Sequence, residues 1–232
     1  MPDAREVAVV IPAWNEADRI EATVGAANSI PGVGLVVVVD DGSRDATAGR
    51  AREAGAAVMR HARNRGKGAA MESGAEAVRL LDEQEGIPYR HLLFLDADLG
   101  DTAERAGPLT EPILTGAADM TIAIFTTTVK LGGHGMVVGL AGKGIQRATG
   151  WQPRQPLNGQ RCLTRAAFEA ARPLAHGFGI ETALTIDLMR KGMRISEVEV
   201  DLAHRASGTD LRAQLHRARQ LTDVARALAT RR

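Results

Sequence analysis

A chain of 232 residues is long enough for one large α/β domain with a substantial core. Its 29 Lys and Arg against 28 Asp and Glu exclude a general electrostatic case for nucleic-acid binding, and two Trp, one Tyr and four Phe are too few for base-stacking platforms. The single cysteine, Cys162, excludes an internal disulfide, and no apolar stretch reaches the ~20 residues that span a bilayer; with no signal-like segment ahead of the first apolar run, the expected location is cytoplasmic.

Residues 7–11 form a β-branched run that predicts a buried strand, ended by Pro12 because proline brings no N–H to a ladder. After a loop to Glu16, residues 17–29 predict a helix with Ile20, Val24 and Ala27 on its apolar face and Pro31-Gly32 as its stop. A second strand over 35–39 delivers Asp40-Asp41-Gly42-Ser43. Asp45 then caps a helix to 54, and 56–59 make a third short strand. The basic, glycine-bearing loop 61–68 opens a helix to about residue 83. The apolar run that starts at His91 leads directly into Asp96 and Asp98. A helix over 103–114 and a strand over 120–125 follow. Strands alternating with helices at this spacing predict a mostly parallel sheet with helices on both faces, whose ligands bind at the carboxyl ends of the strands. Asp40, Lys67 and Asp98 fall there.

Beyond residue 126 the pattern changes. Residues 130–150 carry seven glycines and predict a loop with a short helix over 137–147. A turn and strand over 155–163, a helix capped by Thr164, a helix over 180–190 stopped by Gly192, a strand over 194–200 and a basic amphipathic helix over 211–229 complete the chain.

Asp96 and Asp98 straddle one residue, so in an extended conformation both carboxylates project to one side. Their mutual repulsion calls for compensation, and hard oxygen ligands suit Mg²⁺ or Mn²⁺ carrying phosphate oxygens; the plain alternative is an acidic turn. Asp40-Asp41 offers acceptors for a base or ribose, or else an Asx-type turn before a helix. Gly66-Lys67-Gly68 offers a cation for phosphate, or a solvated helix start. The spacing of a P-loop is missing, and no Gly-x-Gly-x-x-Gly follows the first strand, which counts against a dinucleotide-dependent dehydrogenase.

Taken together, Val9-Val-Ile-Pro-Ala-Trp-Asn-Glu16, Val38-Val-Asp-Asp-Gly-Ser-Arg-Asp45, Asn64-Arg-Gly-Lys-Gly68 and Phe94-Leu-Asp-Ala-Asp98 resemble the ordered motifs of nucleotide-sugar glycosyltransferases of the family 2 type, with the GT-A fold. The resemblance implies a nucleotide-sugar-binding half, 1–125, and a smaller acceptor-side half, 126–232, of one continuous domain. It implies that Pro12, Ala13, Asn15, Glu16 and Asp40 hold the nucleoside, that Lys67 approaches the phosphates, that Asp96 with Ala97 lies on the ribose side, and that Asp98 binds the metal on the diphosphate. The second half, through Gln155-Pro-Leu-Asn-Gly159, Gly177-Phe-Gly-Ile-Glu181 and Asp201-Leu-Ala-His-Arg205, is similar to glucosyl-3-phosphoglycerate synthases and more loosely to polyprenyl-phosphate sugar transferases. By that likeness His204 completes the metal site with Asp98, Glu181 stands near the acceptor, and Gly133, His134, Asn158 and Gly159 form the acceptor side. Phosphoglycerate-using enzymes carry an arginine in the glycine-rich loop, where this chain has Gly132-Gly-His-Gly135.

The implied reaction moves a hexose from a UDP- or GDP-linked donor to a small phosphorylated or lipid-phosphate acceptor. Glu181 is the candidate general base if the reaction inverts the anomeric centre, and a positioning group if it retains it. Lys130, Lys143, Arg147, Arg154, Arg161 and Arg165 are candidates to receive a lipid phosphate, beside an apolar surface over 136–145; otherwise they belong to a solvated loop. The basic C-terminal helix packs on its own domain, joins a twin subunit, or makes peripheral contact with the inner face of a membrane. Two rival classes remain at this stage: a non-catalytic nucleotide-sugar-binding module, and a sugar nucleotidyltransferase, which would carry a glycine-rich loop where Pro12-Ala-Trp-Asn-Glu16 stands.

Overall fold

The computed structural model describes residues 6–126, 135–175, 177–202 and 211–231, without the side chains of Phe178 and residues 211–219. In chain order the elements are β1 (Val7–Ala13), α1 (Ile20–Asn28), β2 (Val33–Asp40), α2 (Thr47–Glu53), β3 (Ala57–Arg60), α3 (Lys67–Glu85) and β4 (His91–Phe94). A 3-10 helix, Gly100–Leu109, leads into α4 (Glu111–Leu114), β5 (Met120–Phe125), α5 (Gly135–Thr149), β6 (Arg161–Leu163), α6 (Arg165–Ala171), α7 (Ile180–Arg190), β7 (Ile195–Val200) and α8 (Leu211–Ala229).

The strands form one seven-stranded sheet in the order β3-β2-β1-β4-β6-β5-β7. All neighbours are parallel except β6, which runs antiparallel to both β4 and β5. This is the mostly parallel, helix-flanked sheet expected from the alternation of elements. Alternate residues of β1 serve opposite faces: Val7, Val9 and Ile11 pack with Ile20, Val24 and Ala27 of α1, while Ala8 and Val10 pack with Ala70, Met71 and Val78 of α3. Gly74 lets α3 lie against the sheet, since a Cβ there would overlap Val10. Among the described residues no helix is long and apolar enough to cross a membrane.

Three local expectations are corrected. Pro12 does not end β1, which continues to Ala13 in register with Asp40 of β2. Leu95 N–H donates to Val10 O as β4 ends, so Pro12, of the same parity as Val10, turns its missing donor toward an edge that no longer has a partner. The helix expected over 103–114 is a 3-10 segment followed by one short α turn. Pro108 lies inside it, where an α-helical ring would clash with the carbonyl four residues back. Within 130–150, residues 135–149 are helical: α5 buries Val137, Ala141 and Ile145, and Val137 and Ala141 pack against Val224 of α8. The apolar surface anticipated over 136–145 is therefore largely covered by the chain's own last helix, leaving Met136 exposed.

Candidate active site

The parallel strands β2, β1 and β4 end side by side, and the loops that leave them are tied together. Asn15 adopts a left-handed conformation (φ 56°) that asparagine tolerates well. Its N–H donates to Ser43 Oγ at 2.9 Å while its Oδ1 accepts from Arg44 N–H at 2.9 Å, and Glu16 N–H donates to Thr47 Oγ1 at 2.9 Å. Asp45 accepts from Ala17 N–H and from the Thr47 N–H and hydroxyl; it is not the N-cap expected from the sequence, a place taken by Ala46, but steadies the start of α2 from one residue before that cap. The loop after β1 is thus a rigid shelf over the end of β2.

Asp40 is fully buried at the tip of β2. Its Oδ1 accepts from Ser43 N–H at 2.9 Å. Its Oδ2 lies 2.9 Å from Arg60 Nε, an ion pair in which no N–H is aligned for a hydrogen bond, and the buried oxygen has no hydrogen-bond partner among the described residues. The Arg60 guanidinium offsets the charge of that oxygen without supplying an aligned hydrogen bond. Asp41 has a different task. It accepts from the N–H groups of Arg65 and Gly66 at 2.8 Å each and contacts His61 Nδ1 at 2.6 Å, while His61 Nε2 reaches Ser73 Oγ at 2.9 Å. One buried carboxylate therefore shapes the loop that presents Lys67 at the start of α3.

Lys67 is the hub. Its ammonium is 2.8 Å from Asp96 Oδ1 and 3.4 Å from Glu181 Oε1, at the first turn of α7. Burial works against its charge, but the two carboxylates and their hydrogen bonds prevail and hold it protonated above the usual lysine range. Gly159 faces the same point: a Cβ there would stand within 3.5 Å of Asp96 Oδ1 and Glu181 Oε1 and closer still to Lys67 Nζ. Lys67, Asp96, Gly159 and Glu181, from four separate stretches of the chain, meet in one polar cluster.

Asp96 and Asp98 do not extend β4. The strand ends at Phe94, and Ala97 and Asp98 form a turn. The reason is a set of side-chain partners: Thr23 of α1 donates to Ala97 O at 2.9 Å and accepts from Gly100 N–H at 2.8 Å, and Arg19 donates to Asp98 O at 3.1 Å. Ala97 is buried against the core, whereas Asp98 is half-buried. Both oxygens of Asp96 are engaged, Oδ1 by Lys67 and Oδ2 by Gln160 Nε2 at 2.7 Å.

Asn158 is buried, and its side chain bonds Gln155 and Gln160. Gly133, His134 and His204 lie outside the described residues, and no group of three metal-ligating side chains occurs among those described. Two side chains that sequence reasoning did not single out as site residues, Thr23 and Gln160, hold the Asp96–Asp98 turn. Another is corrected: Arg161 does not face an acceptor phosphate. It is 1% exposed and donates to Asn158 O, Glu181 O, Thr185 Oγ1 and Pro156 O, stapling the 155–160 turn to α7, and burial pushes its guanidinium down to about 10. Arg165 is likewise buried, donating to Ala75 O and pairing with Glu169, and Arg154 pairs with Glu199 at 2.9 Å.

The family model described as glycosyl transferase family 2 matches residues 8–159, from β1 through Gly159. Glycosyltransferase AglJ of Haloferax volcanii is 28% identical over 218 residues, 90% of this chain and 67% of that protein. The uncharacterized protein MJ1222 of Methanocaldococcus jannaschii is 34% identical over 117 residues, half of this chain and 45% of its own. Among solved structures, glucosyl-3-phosphoglycerate synthase of Mycobacterium tuberculosis in complex with Mn²⁺, UDP and glucosyl-3-phosphoglycerate superposes with a TM-score of 0.72 at 26% identity, covering 98% of this chain and 80% of that one. The same enzyme with Mn²⁺, UDP-glucose and phosphoglyceric acid gives 0.70 at 27% identity, covering 97% and 80%. With its strand-end motifs, its sheet order and these relatives in agreement, the chain belongs to glycosyl transferase family 2 and is a nucleotide-sugar glycosyltransferase of the GT-A fold, related to glucosyl-3-phosphoglycerate synthase.

Proposed function

We propose that this glycosyltransferase moves a hexose from a nucleoside-diphosphate donor to a phosphorylated or lipid-phosphate acceptor and uses Mg²⁺ or Mn²⁺ to do so. The observation that carries the reading is the Lys67 cluster: one ammonium held between Asp96 and Glu181, with a glycine opposite, at the carboxyl edge where the sheet's ligands bind. Asp40 offers its buried acceptor to the base, and the Pro12–Glu16 shelf, Pro12 and Ala13 at its root and Asn15 and Glu16 along it, borders the nucleoside. Lys67 and Asp96, with Ala97 beneath them, serve the ribose and phosphate side.

Asp98 would hold the metal, with His204 as its partner. A carboxylate oxygen and an imidazole would suit a hard divalent cation, and Asp96 is already engaged by Lys67 and Gln160. When bound there, the ion neutralises charge that gathers on the departing nucleoside diphosphate. Lys67 contributes in the same sense from the protein side. Glu181, buried and oriented by Arg161 through its backbone carbonyl, accepts a hydrogen bond from a substrate hydroxyl, and acts as base if that hydroxyl is the nucleophile. Gly159 and Asn158, with Gly133 and His134, would form the acceptor side; relatives crystallised with phosphoglyceric acid support an anionic acceptor.

The test is release of nucleoside diphosphate from a panel of UDP- and GDP-hexoses, with phosphoglycerate or a polyprenyl phosphate as acceptor and Mn²⁺, Mg²⁺ or EDTA. Metal-stimulated transfer is expected, and Asp98→Ala should lower it at least about 100-fold. Undiminished turnover of that variant would remove Asp98 from the metal site.

A further inference from the structure

Gln160 follows Gly159 and is fully buried. Both groups of its side-chain amide are directed at one residue. Oε1 accepts from the Asp96 N–H at 2.9 Å, and Nε2 donates to Asp96 Oδ2 at 2.7 Å. The chemistry admits only this orientation, because a flipped amide would set N–H against N–H and oxygen against carboxylate. The amide is itself supported. Gln160 N–H donates to Asn158 Oδ1 at 2.9 Å, Asn158 Nδ2 donates to Gln155 Oε1 at 3.2 Å, and Gln155 bonds both the N–H and the carbonyl of Phe125 at 3.2 Å. A chain of amides thus runs from the end of β5 to Asp96, whose other oxygen meets Lys67.

We propose that Gln160 is a positioning residue that sets the rotamer of Asp96 and, through it, the place of the Lys67 ammonium. Asp96 lies beyond the last paired residue of β4, so the sheet no longer holds its backbone. The Gln160 side chain stands in for a strand partner at the N–H and orients the carboxylate at the same time. Without it Asp96 would turn about its side-chain torsions and carry Lys67 with it, and displacement of about 1 Å in a reacting constellation costs on the order of 100-fold in rate. An amide is required rather than an acid. Glutamate would still accept from the Asp96 N–H but would aim a second carboxylate oxygen at Asp96 Oδ2. Exchanging the two side-chain types, Gln160→Glu together with Asp96→Asn, restores the pattern: the new amide at position 96 would donate to the new carboxylate at position 160 and still accept from Lys67.

The proposal rests on the reading that Asp96 serves the donor site, so the experiment includes a readout independent of turnover. Gln160→Ala, Gln160→Glu, Asp96→Asn and the double variant Gln160→Glu/Asp96→Asn are compared by kcat and donor KM with Mn²⁺, by melting temperature, and by NMR exchange of the amide proton at position 96. Gln160→Ala is expected to lower kcat by roughly 10- to 100-fold with donor KM changed less than about threefold, and to speed exchange at Asp96 at least about tenfold. Gln160→Glu should be slower still, and the double variant should recover at least about tenfold over it. Wild-type kcat in either single Gln160 variant overturns the proposal. So does a Gln160→Ala variant whose melting temperature falls while Asp96 exchange stays at the wild-type rate, which would make Gln160 only structural. Should no donor be turned over, the proposed function fails by itself, and unchanged Asp96 exchange in Gln160→Ala then overturns the positioning role separately.

Discussion

Gly159→Ala separates catalytic geometry from stability. A Cβ at this position would stand under 3.0 Å from Lys67 Nζ, and ordinary contact begins near 3.4 Å. The ammonium must therefore retreat by about 1 Å, a misplacement that costs on the order of 100-fold in rate when the group acts on the reacting centre. It cannot retreat and keep both partners, because Asp96 at 2.8 Å and Glu181 at 3.4 Å hold it from either side. The fold has little at stake. Lys67 is a third exposed at its side chain, so solvent screens the pair and its contribution is about 0.2–1 kcal/mol. Gly159 is not among the glycines with positive φ, so alanine meets no backbone strain there. In a domain of this size a loss of about 1 kcal/mol lowers the melting temperature by about 2–4 °C. Diphosphate-release kinetics and thermal melting are run side by side. Expected is a roughly 100-fold fall in kcat/KM with a shift of a few degrees. Near-wild-type turnover in a folded Gly159→Ala protein would refute the assignment of the Lys67 cluster to the reacting centre.

Gly74→Ala should behave in the opposite way. Its Cβ would overlap Val10 and stand 3.0 Å from Val39, both in the core, so α3 must lift from the sheet; a loss of about 1–3 kcal/mol is expected in chemical denaturation, and an unchanged midpoint would contradict the packing. His91 links stability to pH. Burial lowers its pKa against the opposing pull of Glu6, and its Nδ1 accepts from Arg165 N–H at 3.3 Å. The unfolded chain therefore binds the proton more readily, and stability falls as pH drops through about 6.5 and levels off below the folded value. His91→Gln should flatten the dependence of unfolding free energy on pH between about 7.5 and 5.5; an identical slope in the variant would exclude His91 as its source.

Much of the first 125 residues was legible because their signals are local. The β-branched run ending in Asp40, the short apolar run ending in Asp96 and the helix opened by Gly66-Lys67-Gly68 each depend on neighbours a few residues away, as does Thr164 capping α6 further along the chain. The same locality produced the errors. Pro12 predicts a strand end, yet β1 had already lost its β4 partner on the side where proline lacks a donor. Arg161 and Arg165 read as surface cations available to phosphate; the insertion of β6 between β4 and β5 buries the first, and the packing of α6 against α3 at Ala75 buries the second.

By itself the sequence determined most of the element types, the alternation that makes a mostly parallel sheet, and the residues that reach its carboxyl edge. Periodicity and turn chemistry act within a few residues, so they can be read without a structure. The tertiary fold alone decided which of those residues meet. Gln160 finds Asp96 across 64 positions, and Lys67, Asp96 and Glu181 share one charge cluster because β6 reverses direction beside β4 and returns the 155–160 turn to the strand ends. That reversal is a choice of sheet order, made by the burial of both faces together, and no local spacing in the chain encodes it.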